Sequence, residues 1–270
     1  MQLVRIAAVL SALGILWIEH SALAAPPDLL ADGGAARVAN VIDGDTLRLE
    51  GGAVDVRLVG IQAPKLPLGR AGFKPWPESD TARAALAELT KGHSVTLRLP
   101  ATSKDRNGRI LAHVVRNDGL WLQEEMLRRG LARVYTFPDN RQFAPELFAA
   151  ERDARTARRG IWADATYNVR TPDPARLASD VGTFQIVEGR AMSTAKVQGR
   201  VYLNFGDDFR TDFTATIAPE ALPLFTKDKI DPLSLKGKFV RLRGYVRNYN
   251  GPVIDISHPE QIETVAAPGQ

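Results

Sequence analysis

The 270-residue chain contains no cysteine. That excludes disulfide bonds, thiolate zinc sites, cysteine nucleophiles and redox motifs, so any stable domain must rest on a packed apolar core alone. After the apolar run Ile6 to Ile18, no segment is long and apolar enough to cross a bilayer. A strong excess of one charge is also missing. The 35 Lys and Arg against 31 Asp and Glu leave a net charge of +4. That balance permits an anionic partner such as nucleic acid without requiring one. No residue-level repeat is visible. What is present is ordinary for a globular protein, with 44% hydrophobic and 24% charged residues. The length allows one large domain or two small ones.

Residues 1 to 25 have the layout of a secretory signal peptide. Arg5 supplies a short positive region, Ile6 to Ile18 an apolar one, and Ala22-Leu23-Ala24 a small-x-small cleavage signal before Ala25. Glu19 and His20 interrupt the run, which argues against an uncleaved anchor. The expected product is exported, periplasmic or secreted, and free of the membrane after cleavage.

Ala25 to Gly34 is rich in Ala, Pro and Gly and is expected to be a flexible lead-in. Arg37 to Glu50 alternates as a strand broken at Asp43-Gly44-Asp45. Gly51-Gly52 is a hairpin signal, and Val54 to Ile61 is the return strand. Ser79 or Asp80 can cap a helix to about Leu89. Val95 to Leu99 and Ile110 to Val115 read as strands, Leu120 to Arg129 as a helix stopped by Gly130, and Leu131 to Tyr135 as a fifth strand. Pro145 to Arg159 reads as a helix ending at Gly160-Ile161-Trp162.

Residues 164 to 182 lack periodicity and are expected to link two domains, residues 36 to 163 and 183 to 265. In the second, strands are expected at Phe184 to Met192, Val197 to Asn204, Asp212 to Ile217, Phe239 to Tyr249 and Val253 to Ser257. Each half has about five strands and a helical insert. The fold class is therefore mainly β with α (α+β). A five-stranded OB-type barrel is expected to be followed by a second small OB-like barrel.

The chemistry concentrates in three stretches. Arg57 lies in phase with Val59 and Ile61 in an apolar run, where a desolvated charge needs an anionic partner. Asp43-Gly44-Asp45 precedes it, and Asp105-Arg106-Asn107-Gly108-Arg109 follows. Two arginines among clustered aspartates point to a phosphate and a metal. Each stretch also has a plain structural reading, as a strand break, an ion-paired strand arginine and a solvated turn.

The first half resembles the staphylococcal-type thermonuclease family. The carrying residues are Val41-Ile42-Asp43-Gly44-Asp45-Thr46, Arg57-Leu58-Val59-Gly60-Ile61, Asp105 to Ala112, Gly130-Leu131-Ala132 and Gly160-Ile161-Trp162. The resemblance implies a five-stranded OB barrel with three helices, and calcium-dependent cleavage of DNA and RNA phosphodiesters. It implies that Asp45 is a calcium ligand and that Arg57 and Arg109 hold the phosphate and stabilise its developing charge.

The departures fall on the same machinery. Gln62 stands where the family has a second calcium-ligand aspartate, and Lys65 where it has the glutamate that activates water. Gln62 can still offer calcium an uncharged amide oxygen, but calcium affinity rises with carboxylate count. A lysine ammonium about 6 Å from a divalent cation, at an effective dielectric near 20, repels it by roughly 5 kcal/mol before screening. Losing a positioned base costs about 10² to 10⁴ in rate. The loop from Leu66 to Trp76 has no carboxylate; Glu78 and Asp80 are the nearest substitutes, and Phe73 or Trp76 could stack on a base.

The expected site therefore comprises Arg57 and Arg109 as catalytic groups, Asp45 and Gln62 as metal ligands, and Lys65 with the two arginines as substrate contacts. The partner is single-stranded DNA or RNA or another phosphodiester. Nuclease activity is expected to be weakened. The alternative is a non-catalytic nucleic-acid-binding or cell-envelope interaction protein. In the second half, Arg241, Arg243 and Arg247 share a strand face, either solvated or a platform for single strands.

Overall fold

The computed structural model describes residues 30–267. The signal-peptide expectation lies outside the described residues. Among them, no helix is long and apolar enough to cross a membrane.

Strands β1 (Ala31–Asp43), β2 (Thr46–Leu49) and β3 (Asp55–Leu58) form a meander. The short strand β4 (Gly60–Gln62) continues from β3, and helix α1 (Ser79–Thr90) follows the long loop. After α1 come β5 (Ser94–Leu99) and β6 (Ile110–Arg116), with β6 parallel to β3. The order β1-β2-β3-β6-β5 closes on itself as a five-stranded mixed barrel. Alternation explains the packing: Leu47, Val56, Leu58, Val95, Leu97, Ala112 and Val114 all point into one apolar core.

β1 is longer than the sequence pattern indicated. Ala31 and Asp32 pair with Leu99 and Arg98, so the start of β1 completes the barrel and is not a flexible lead-in.

Helix α1 buries Ala82, Ala85, Leu86 and Leu89. Neither expected cap is used. Glu78 occupies the capping position at φ 63° without a side-chain bond, and Asp80 pairs with Arg83 at 3.1 Å. Helix α2 (Leu122–Arg128), strand β7 (Arg133–Tyr135) and helix α3 (Ala144–Thr156) complete this half, giving it three helices.

β7 does not join the barrel; it pairs with β4 as a two-stranded ribbon. Gly60 makes the departure possible. Its φ is +85°, and a Cβ there would lie 2.7 Å from Leu147 Cδ1. Gly130 and Gly160 meet back to back, where a Cβ on either would sit 2.2 Å from the other's region of backbone. At that contact Ile161 N–H donates to Gly130 O, and both Ile161 and Trp162 are buried.

The second half contains α4 (Pro174–Leu177), β8 (Phe184–Arg190), β9 (Ser193–Val197), β10 (Arg200–Asn204), β11 (Thr214–Ile217), α5 (Leu222–Lys227), β12 (Phe239–Asn248), β13 (Pro252–Ile256) and β14 (Ile262–Thr264). Its seven strands form a sheet that is not closed, which corrects the expected second barrel. The outer edge of β8 explains this. Arg170 N–H donates to Ile186 O and Glu188 N–H to Arg170 O, so the connecting segment occupies the edge that a closing strand would need.

The two halves are packed together. Ile161, Trp162 and Tyr167 share an apolar cluster with Ile186 of β8. Arg243 of β12 is 1% exposed and donates to both oxygens of Glu151 on α3 at 3.1 Å. Arg133 donates to Phe184 O at 3.0 Å, and Thr136 bonds His258 at 2.7 Å.

Candidate functional site

A cavity of about 820 Å³ opens beside the β3–β4 corner. Its cationic lining is Arg57, Lys65, Arg70, Lys104, Arg106 and Arg109, against the carboxylates Asp43, Asp105 and Asp139. The excess of cations favours an anionic ligand. Gln62 also lines it, as do Tyr135, Phe137 and Tyr245.

Asp45 lies beneath this surface, with no exposure to solvent. The Asp43-Gly44-Asp45 turn between β1 and β2 aims its carboxylate at the loop after β4. Lys65 Nζ donates to Asp45 Oδ1 at 2.7 Å and Oδ2 at 2.6 Å, and reaches Asp43 Oδ2 at 3.4 Å. Oδ2 also accepts from Ala63 N–H at 2.7 Å and pairs with Arg57 at 3.2 Å; Oδ1 accepts from Thr46 Oγ1 at 3.2 Å. Burial alone would raise the Asp45 pKa, but the charges of Arg57 and Lys65 outweigh it and hold the carboxyl well below its usual range. Asp43 shifts the other way: burial, then the neighbouring Asp45 charge, push its pKa up.

Arg57 is almost entirely spent inside the fold. Nη1 donates to Leu58 O at 2.5 Å and Asp45 O at 3.3 Å, and Nη2 to Ile61 O at 2.6 Å. Only 9% of the residue is exposed. It clamps the corner where the chain leaves the barrel. Arg109 differs. Its Nε donates to Asp105 Oδ2 at 2.7 Å, and its two terminal nitrogens have no hydrogen-bond partner among the described residues. Asp105 is in turn held below its usual pKa, the hydrogen bonds from Arg109 outweighing burial.

These residues do not fit calcium, which wants six to eight oxygens with uncompensated negative charge. Both oxygens of Asp45 are saturated by donors, and an ammonium stands between the two aspartates. Gln62 Oε1 accepts from Arg133 Nη2 at 2.9 Å and is thereby drawn into the contact with the second half. No group of three or more candidate metal-ligating side chains occurs among the described residues.

The other candidates lie elsewhere. Glu78, Asp80, Phe73 and Trp76 are not among the cavity-lining residues. His113 is buried between Trp121 and Phe143, and burial lowers its pKa to about 3. The basic face of β12 is divided between sealed or paired arginines and a solvated one. Arg243 is sealed against Glu151, Arg241 pairs with Glu188 at 2.6 Å, and Arg247 pairs with Asp255.

Sequence reasoning missed several lining or supporting residues, among them Arg133, Tyr135, Phe137 and Tyr245. Arg133 carried the same signal as Arg57, a charge in an apolar strand. Tyr135 and Phe137 follow directly on Gly130-Leu131-Ala132. Tyr245 arrives from the other half of the chain, and no local pattern marks it.

The staphylococcal nuclease homologue family matches residues 55–164 and stops before the second sheet begins. A probable staphylococcal-like nuclease of Oryza sativa subsp. japonica is 33% identical over 135 residues, which is 50% of this chain and 36% of that protein. An uncharacterized endonuclease of Escherichia coli is 34% identical over 131 residues, 48% of this chain and 77% of that one. A thermonuclease of Staphylococcus intermedius is 30% identical over 136 residues, covering 46% and 74% respectively. With a third of the aligned residues identical across three quarters of the Escherichia coli endonuclease, and with the barrel and its cationic cavity in place, the chain belongs to the staphylococcal nuclease homologue family.

Proposed function

We propose that the protein binds a phosphodiester of nucleic acid in the barrel cavity without a divalent cation, and that metal-dependent hydrolysis is weakened. The observation that carries this reading is Lys65 Nζ, which lies 2.6 and 2.7 Å from the Asp45 oxygens and 3.4 Å from Asp43. A tethered ammonium thus supplies positive charge where the family, which typically uses calcium, would place an ion. Arg109 is the group best able to hold a phosphate, because two of its nitrogens remain to make bidentate bonds. Lys104 and Arg106 add exposed positive charge at the same cavity. Arg57 acts as a positioning residue for the loop that carries Lys65.

The weakness of hydrolysis follows from the lining carboxylates. Asp43 is occupied by Lys65 and Asp105 by Arg109. Asp139 is exposed, and among the described residues no hydrogen bond to its side chain fixes its direction. No base is therefore positioned to activate water. We further propose an OB-type barrel for the first half and export of the protein, the latter resting on the composition of residues 1 to 25.

The test is fluorescence anisotropy and cleavage with labelled single-stranded DNA and RNA, in a chelator and in calcium, magnesium or manganese. Binding should persist in the chelator and weaken about tenfold or more in Arg109→Ala. Cleavage should be at least about 10²-fold slower than in the Lys65→Glu, Gln62→Asp double variant. Metal-dependent cleavage by the native protein at the rate of the double variant would overturn the reading, as would loss of binding in the chelator.

A further inference from the structure

We infer that the cavity is completed by the second half of the chain, with Tyr245 of β12 acting as a stacking face for an unpaired base whose phosphate lies on Arg109. This rests on the proposed reading of the cavity. Along β12, Val240, Leu242 and Val246 enter the core, whereas Tyr245 remains 46% exposed and lines the barrel's cavity.

The ring is braced from behind. Tyr245 pairs with Phe184 across β12 and β8, and the two rings meet edge-to-face at 5.8 Å and 77°. Phe184 is itself 4% exposed, and its carbonyl accepts from Arg133, whose guanidinium lies 4.8 Å over the Phe184 ring. Tyr135 of β7 stands 6.5 Å from Tyr245 at 82°, so the aromatic wall crosses from one half to the other. Two residues along β12, Arg243 locks the strand to Glu151.

A solvated loop tyrosine would have none of this support. Tyr245 has a braced ring, a place on the lining of a cationic cavity and a strand tied to the other half of the chain. An aromatic face beside guanidinium groups is the arrangement that holds a base and its phosphate together. Its geometry favours single strands, since inside a duplex both faces of a base are covered by the neighbouring base pairs. The second half would then select the ligand class as well as cover the barrel.

The experiment measures binding of the full chain to three labelled ligands: a single-stranded 12-mer, the same backbone without bases, and the matching duplex. Tyr245→Ala should weaken binding of the 12-mer about 5- to 150-fold. The abasic and duplex ligands should change less than twofold. Tyr245→Phe, which keeps the ring, should bind the 12-mer like the native protein. Equal affinity of native and Tyr245→Ala for the 12-mer would overturn the inference, and so would an equal loss for the 12-mer and the abasic strand. If the native protein binds none of the three, the reading of the cavity itself fails, and the inference falls with it.

Discussion

Asp45 and Glu151 present the same device in two places. Each is a buried carboxylate whose oxygens are shared between two cations and a backbone N–H: Arg57, Lys65 and Ala63 for Asp45; Arg243, Arg155 and Val134 for Glu151. Both are held below their usual pKa although burial pushes them up. The surroundings differ. Glu151 is sealed between α3 and β12, and Arg243 beside it is 1% exposed. Asp45 lies under a cavity, and Lys65 on its far side keeps 19% of its side chain in contact with solvent. A buried ion pair is therefore no sign of a site. One of these ties the two halves of the chain together; the other lies where a ligand can reach its counter-ion.

The comparison is tested most severely at the sealed centre. Replacing Glu151 with Ala leaves buried Arg243 with Glu263 as its remaining carboxylate and takes away the ion-pair partner of Arg155, and should cost about 3 kcal/mol in urea unfolding. Arg243→Ala should cost a similar amount, since Glu151 then faces only Arg155. A loss under 1 kcal/mol for both would mean that the interface contributes little to stability.

Next comes the pH dependence, which separates these centres from two buried histidines. Burial, and then Arg141, lower the His258 pKa to about 4, while His113 in the barrel is lowered by burial to about 3. Below about pH 6.5 the unfolded chain takes up these protons and the folded chain does not. Stability should therefore be complete above pH 6.5 and fall toward pH 4, by about 2–3 kcal/mol for His258 alone. His258→Gln should remove that part of the slope. Asp45 and Glu151 act in a different window: their depressed pKa values keep their contribution intact above about pH 4, and it is lost only as pH falls further. A native profile flat from pH 7 to 4.5 would contradict the histidine assignment.

At the open centre the expected loss is smaller, because Lys65 is partly solvated. Lys65→Ala should cost about 1–2 kcal/mol. It should also leave the Asp43 and Asp45 carboxylates facing each other with only Arg57 between charge and solvent. Calcium should then stabilise the variant, by about 2.7 kcal/mol at one hundred times its dissociation constant, and leave the native protein unmoved. Equal calcium stabilisation of both proteins would show that the ammonium does not exclude the ion.

Much of the barrel was legible because its strands alternate and its turns carry glycine. Of the residues singled out as the site, Arg57, Gln62, Lys65 and Arg109 line one cavity, while Asp45 lies buried beneath it. Their bonds were not legible. A sequence shows that Arg57 is a guanidinium in an apolar run, but not that Leu58 O and Ile61 O take its donors. It shows Gln62 in place of an acid, but not that Arg133 turns the amide toward the second half. On β12 the period of two correctly grouped Arg241, Arg243 and Arg247. What covers that face depends on α3, nearly a hundred residues away in the chain. The expected closure of the second sheet failed for a similar reason, because the strand pattern cannot reveal that the segment at Arg170 occupies an edge.

The smallest effect sharpens the comparison from its other end. Arg247 lies on the same face of β12 as Arg243 but keeps 57% of its side chain in solvent, and its partner Asp255 keeps 45%. Water already solvates both charges, so the pair gains little from contact and loses rotamer freedom in making it. Arg247→Ala should change stability by less than about 1 kcal/mol and leave affinity for single strands within twofold of native. A loss of affinity as large as that of Arg109→Ala would restore the basic face of β12 as a binding surface. An unchanged affinity would confine recognition to the cavity, where charge is held under aromatic cover and water has less hold on it.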